Sequence, residues 1–349
     1  MERKLSSKTT KTQIAMKPKT LSFLLAVLMS MMASVANAYD AEINGIYYNF
    51  SGTTAIVTYQ LSSNGTPKSD YSGNVTIPKT VTYNGETYSV TSIDGKAFYG
   101  CTGLKSVTIS NSVTSIGGKA FSGCSGLTSF VVENGNTKFD SRNGCNAIIE
   151  TASNTLIVGC KNTIIPNNVT TIGERAFRSC TGLTSIEIPN SVTSIGSSAF
   201  RECSGLTSIE IPNSVTEIGS YAFNDCTGLT SVIVAWATPI NLLNSNTFSN
   251  ASNATLYVPK GTKEAYEAAR YWKNFKEIVE YEMEETGIEA IDNGQLTMDN
   301  AKGVYDLSGR RMNVNVNVNV NVNNSKFEIQ NSKLRKGIYI VNGKKTVVK

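Results

Sequence analysis

The sequence predicts a mainly β solenoid built from 23-residue coils, on three observations. Val-Thr-x-Ile recurs at Val90, Val113, Val169, Val192 and Val215, with three spacings of 23 residues and one of 56, which is two periods plus ten. A fixed period of this size is the mark of a repeat architecture. Within each period Val, Ile, Ala-Phe, Cys, Leu, Ile and Ile hold constant columns, and Gly and Pro-Asn punctuate them at constant places.

Residues 1–38 read as a secretory signal peptide: a basic lead (Arg3, Lys4, Lys8, Lys11, Lys17, Lys19), an apolar run from Leu21 to Val35, and the small-residue cleavage site Ala36-Asn37-Ala38. Met16 is an alternative start that leaves the same address. The apolar run is short for a bilayer span and no second one follows, so the mature chain is expected to carry no transmembrane span. Tyr39, not Cys, follows the site, which does not suggest a lipoprotein. The leader holds six of the 32 Lys and Arg and one of the 27 Asp and Glu, leaving 26 of each. A formally neutral mature chain disfavours nucleic acid and anionic lipid as partners.

Residues 39–89 do not repeat but read as strands, and Asn84-Gly85 between alternating residues signals a hairpin. They are expected to form an N-terminal β cap, with Val75-Thr76-Ile77-Pro78 already imitating a repeat strand. The repeats span residues 90–258. In the unit that starts at Val192, Leu206-x-x-Ile209-x-Ile211 places alternate residues on one face, as in a leucine-rich strand. Val192-Thr193-Ser194-Ile195 suits a second short strand, Gly196 and Gly205 are expected to permit the corners, and Pro212-Asn213 ends the main strand. The apolar burial of one unit does not offset the entropy of ordering 23 residues, so units must stack and their open ends need caps.

Residues 131–168 interrupt the period, and Ile164-Ile165-Pro166-Asn167 restores it. This irregular unit is the first place to expect a protruding loop, and a recognition role and a tolerated insertion stay equally open. At the far end Thr255-Leu256-Tyr257-Val258-Pro259 closes a degenerate coil. Ala265, Tyr266, Ala269, Trp272 and Phe275 then recur at helical spacing, which predicts a capping helix over Lys263–Phe275 within a cap spanning 259–281. The alternative is a groove filler for a partner. Residues 282–302 look like a linker. The Asn-Val tract at 313–322 alternates like a strand, yet its low complexity favours an expanded loop.

The unit Ile-Gly-x-x-Ala-Phe-x-x-Cys-x-Gly-Leu-Thr-Ser-Ile-x-Ile-Pro-Asn-Ser-Val-Thr-x, as it stands around Ile195–Thr216, resembles the BspA-like, treponemal-type leucine-rich repeat of surface proteins in host-associated bacteria. The resemblance covers about residues 40–280. Gly303-Val304-Tyr305-Asp306-Leu307-Ser308-Gly309-Arg310-Arg311 and the ending Leu334–Lys349 are together similar to the C-terminal sorting domain of type IX secretion, a small β-sandwich expected here over 303–349. That likeness implies a Gram-negative, Bacteroidota-like cell, an export machinery as partner, and release or display at the outer surface.

Chemistry has few parts here. The chain has no histidine, which excludes Ser-His-Asp and Cys-His mechanisms and histidine-bearing zinc sites. It also lacks a Gly-x-Ser-x-Gly elbow, a phosphate-binding glycine loop and a Cys-x-x-Cys pair. No enzyme, cofactor or metal is expected. Glu187 and Glu210 share one column, but repetition makes such pairs automatically. Cys101, Cys124, Cys180, Cys203 and Cys226 share another and read as a buried thiol ladder, while Cys145 and Cys160 flank a hairpin and are the one pair to test for a bridge. The Phe column (Phe98, Phe121, Phe177, Phe200, Phe223) reads as core.

Outward positions of the main strands give a flat polar ladder: Thr184, Ser185, Glu187, Thr207, Ser208, Glu210, Thr230 and Ser231. Extended faces of this kind suit long or proteinaceous ligands, and a merely solvated face is an equal reading. The resemblance implies adhesion to host extracellular matrix proteins or to other cells, and surface capture of a glycan or peptide nutrient is the alternative.

Overall fold

The computed structural model describes residues 38–251 and 253–281 in full, together with the backbone of six short strands between Val304 and Val348. The leader through Asn37 and the linker 282–302 lie outside the described residues. The chain is mainly strand, with one α-helix among the described residues.

The repeat becomes structure by stacking in parallel. Val-Thr-x-Ile forms one ladder, in which Ser115–Ile116 pairs with Ser92–Ile93. Beyond the irregular unit the same ladder runs Leu156, Ile172, Ile195, Ile218. The main strands form the other ladder: Ser106 pairs with Ser129 and Ser208 with Ser231, each 23 residues on. Thr184–Ile188 breaks the expected pattern, because it is not a strand although Thr207 N still donates to Thr184 O at 3.2 Å. The rung that should precede it has been replaced by the irregular unit.

The repeat glycines act differently from expectation. Neither Gly196 nor Gly205 has a positive φ; the corners are turned by non-glycine residues, at Lys96, Lys119, Arg175, Ser198 and Tyr221 with φ between 58° and 66°. The cost of that left-handed backbone is met by coil-to-coil hydrogen bonds such as Ser198 N to Ser220 O at 2.9 Å. The glycines instead mark where coils touch. A Cβ on Gly205 would sit 2.2 Å from Thr181 O, one on Gly228 2.2 Å from Ser204 O, and one on Gly126 2.1 Å from Thr102 O.

Inside the coils the columns pack as stacks. Phe177, Phe200, Phe223 and Phe248 lie 5.0, 5.2 and 5.0 Å apart with rings within 5° of parallel, and Phe98 stacks on Phe121 at 4.9 Å. All seven cysteines are buried free thiols, Cys145 and Cys160 included. In the repeat column Cys124, Cys203 and Cys226 each donate to a carbonyl at 3.0 Å. Burial pushes the Cys101 thiol up to about 11 and those of Cys180 and Cys226 up to about 12. Such thiols are packing elements, not nucleophiles.

Both ends of the stack are closed. At the start, Ala41–Ile43, Ile46–Ser51 and Thr54–Val57 form an antiparallel meander whose last strand pairs in parallel with Glu86–Ile93. The Asn84-Gly85 turn has φ of 51° and 83°, as a two-residue hairpin demands. At the other end the helical spacing yields only Lys263–Ala268, a 3-10 turn at Trp272–Asn274 and then the strand Glu277–Tyr281, which pairs with Thr255–Pro259. The helix stops at Ala268 because Ala269 is extended and Tyr271 left-handed. The residues that suggested it still plug the end: Tyr266 and Trp272 are fully buried, and they donate to Trp236 O and Ile240 O at 2.9 and 2.8 Å.

In the tail, Val304–Tyr305, Arg311–Met312, Gly337–Val341 and Lys344–Val348 form a four-stranded antiparallel sheet, and Val318–Asn321 pairs with Lys326–Ile329. Part of the Asn-Val tract is therefore strand; the rest lies outside the described residues.

Close contact at the glycines makes a sharp prediction. Gly205→Ala must push two coils apart and should cost roughly 1–3 kcal/mol. Gly118→Ala meets nothing within 4 Å and should stay within about 0.5 kcal/mol of the parent. Urea denaturation of the two variants measures the difference, and equal stabilities would refute the role assigned to Gly205.

Candidate functional site

Two surfaces stand out, the polar ladder and the irregular unit. On the ladder, Thr184, Ser185, Glu187, Thr207 and Thr230 are exposed, and Ser208 and Glu210 are half-buried. Ser231 departs from expectation: it is fully buried, flanked in the ladder by Ser208 on one side and Thr255 on the other. Its neighbour Ile233 is buried as well, so on this last rung only Thr230 continues the polar face.

Part of this face serves the scaffold. Thr207 Oγ1 donates to Thr184 O at 3.3 Å and Thr230 Oγ1 to Thr207 O at 3.0 Å, stitching each rung to the one before it. Thr128 does the same to Lys105 O at 2.9 Å. Threonine recurs here because its hydroxyl satisfies a carbonyl on the neighbouring coil while its β-branch suits the pleat. Thr184, Ser185 and Glu187 are the exposed members of the predicted set whose side chains make no hydrogen bond among the described residues. Glu210 pairs across the ladder with Ile233, so this column does not continue as a row of carboxylates.

The irregular unit folds rather than protrudes. Phe139–Asp140, Ala147–Glu150 and Thr155–Gly159 form an antiparallel meander whose last strand joins the ladder. Strand periodicity lets Ala147–Glu150 serve two cores: Ala147 and Ile149 pack with the C-terminal cluster and Ile148 with the N-terminal one. Asp140 fastens the meander, accepting from Arg142 Nε at 2.7 Å, Arg142 N at 3.1 Å and Thr151 Oγ1 at 2.9 Å. Burial acts to raise its pKa, but the hydrogen bonds from Arg142 and Thr151 outweigh this and hold the carboxyl below its ordinary value.

Between this meander and the preceding coil lies a cavity of about 310 Å³, lined among others by Lys119, Phe121, Glu150, Glu174, Arg175 and Arg178. Periodicity does not reveal its cations. Lys119 and Arg175 belong to a corner column whose other members are Lys96, Ser198 and Tyr221, and nothing in the sequence says that the stack is open beside two of them. Among the described residues no cluster of three or more Cys, Asp or Glu is arranged to hold a metal ion, and no helix is long and apolar enough to cross a membrane.

Comparison with known proteins gives a family. The model for the BspA type leucine rich repeat region matches in six copies, at residues 78–157 and 149–278. Among solved structures, a leucine-rich repeat protein from Eubacterium ventriosum is 24% identical, with 53% of this chain and 59% of that one covered and a TM-score of 0.40. The chain thus spans under two thirds of that protein. A leucine rich cell surface protein from Faecalibacterium prausnitzii is 19% identical over 68% of this chain and 98% of that one, with a TM-score of 0.35. The T. pallidum leucine rich repeat protein is 23% identical over 70% and 86%, with a TM-score of 0.29. No curated protein matches the chain.

The fastening at Asp140 is testable by pH. A carboxyl whose folded pKa is depressed contributes stability above its unfolded pKa, about 3.9, and loses that contribution as pH falls through the folded value. Asp140→Asn should therefore cost roughly 1–3 kcal/mol at neutral pH. The gap to the parent should close below about pH 4. Thermal melts of both chains from pH 3 to 8 check this, and a gap independent of pH would contradict it.

Proposed function

Because the chain belongs to the BspA-type leucine-rich repeat family, we propose that it is a secreted or cell-surface binding protein whose repeat face attaches to host extracellular matrix proteins or to other cells. The observation that carries this reading is the row of exposed Thr184, Ser185, Glu187, Thr207 and Thr230 on successive coils, lying over a packed apolar core. A preorganised, extended polar face loses little conformational entropy on binding and matches another extended chain better than a small solute. The leader read over 1–38 and the sorting domain read over 303–349 would bring this face to the outside of a Gram-negative cell. Adhesion needs no catalytic group, cofactor or metal.

The purified chain should bind immobilised fibronectin, laminin or collagen, or partner cells, saturably. Ser185→Arg with Glu187→Arg should weaken that binding by about tenfold or more while leaving the circular dichroism unchanged. In cells, truncation before Gly303 should abolish surface display. Absence of saturable binding to all of these partners would sink the adhesive reading, and undiminished display of the truncated chain would sink the sorting role.

A further inference from the structure

The cavity at the irregular unit exists because the stack is interrupted there, and the interruption leaves main-chain groups unused. In the regular coils Thr91 O, Ile93 O, Thr170 O and Ile172 O each accept an N–H from the next coil. Thr114 O and Ile116 O, which line the cavity side of the ladder, accept none among the described residues. The N–H groups of Phe98, Phe177, Phe200 and Phe223 each donate to the next coil at 2.7–2.9 Å, whereas that of Phe121 finds no acceptor among the described residues, because Ala176 O, its counterpart, is taken by Gly159 N at 2.8 Å.

The side chains add charge to this unused polarity. Arg175 Nε and Arg178 Nε are both buried and donate to nothing among the described residues. Lys119 lines the same cavity, and repulsion from Arg178 above all, then burial and Arg175, lowers its pKa. The three cations therefore crowd one another across the opening. Buried donors without partners are expensive and call for an acceptor. Glu174 and Glu202 answer only part of this, through Arg175 Nη1 and Arg178 Nη2.

We infer that this cavity binds one acidic sugar residue of a polysaccharide, carboxylated or sulfated, with its anionic group on Lys119, Arg175 and Arg178. The volume is at the small end of ligand pockets, about 300–1,000 Å³, which suits one ring and excludes a folded partner. Hydroxyl groups of the ring find acceptors in Glu150, Glu174, Thr114 O and Ile116 O, a set that would only repel a bare phosphate. Strand addition by an acidic peptide is disfavoured, because the open edge at Ser115–Ile116 is two residues long and β-augmentation needs a row of paired main-chain groups. None of the ladder residues Thr184–Ser231 assigned to adhesion lines the cavity, so the inference stands apart from that reading.

The test titrates the full chain with polygalacturonate and with dextran sulfate, using neutral dextran and polyglutamate as comparators. One acidic polysaccharide should bind saturably, and the better of the two reports whether carboxylate or sulfate is read. Free galacturonate or glucose sulfate should compete. Lys119→Gln with Arg175→Gln should weaken binding about tenfold or more, the worth of lost charge-assisted hydrogen bonds. Gly118→Trp should abolish it by filling the cavity, since the position is open within 4 Å; unchanged thermal melts establish that both variants fold. Binding of neither acidic polysaccharide, binding unchanged in both variants, or polyglutamate bound as tightly as the sugars would each overturn the assignment.

Discussion

Each coil of this protein rests on the one before it through a carbonyl that occupies the space of a side chain. Thr102 O under Gly126, Thr181 O under Gly205 and Ser204 O under Gly228 all lie 2.1–2.2 Å from where a Cβ would stand. That contact lets successive coils approach closely only where the residue lacks a Cβ, so glycine recurs there once per 23-residue period. Residues of one column meet their own kind: the phenylalanines stack and the thiols are buried, in two core clusters that meet at the irregular unit.

The same constraint explains why polar groups recur. A Thr at the start of the main strand reaches the carbonyl one coil back, and Ser214 Oγ reaches Val192 O at 2.8 Å in the corresponding way across the other ladder. Left-handed corners at Arg175 and Ser198 are tolerable since the N–H of each donates to the next coil. Where the period fails, at residues 131–168, the meander fills the core with Ile148 and Cys160 on one side and Ala147 and Ile149 on the other. It leaves main-chain groups and two arginine Nε atoms without partners beside a cavity. The polar ladder and this interruption are thus two products of one stacking rule, the first where it holds and the second where it stops.

Much of the scaffold was legible in the sequence because repetition writes burial directly into columns. Phe177, Phe200, Phe223 and the five repeat cysteines could be placed inside from their positions alone, and Asn84-Gly85 specified its hairpin by the backbone it requires. The glycines are ambiguous in the sequence, which cannot separate a residue chosen for positive φ from one chosen for the absence of a Cβ. The end cap was half legible: Tyr266, Trp272 and Phe275 have helical spacing, yet the plug they form needs a left-handed Tyr271 and a returning strand. Periodicity puts Ser231 on the open face because its column is Ser in four earlier coils; its burial depends on what flanks it at Thr255 and Ile233, which lies beyond periodicity. The cationic cavity was illegible for the same reason. Lys119, Arg175 and Arg178 are ordinary corner residues until the stack opens between their coils.

Amide hydrogen exchange measures the central claim, that coil-to-coil register organises the protein and lapses at one place. The amides of Phe98, Phe177, Phe200 and Phe223 should be protected as one cooperative set, together with Thr193, Gly196, Thr216 and Gly219, whose N–H groups all donate to the preceding coil. Phe121, also buried in its column but without a backbone acceptor among the described residues, should exchange markedly faster than the other four. Equal protection of all five phenylalanine amides would contradict the account.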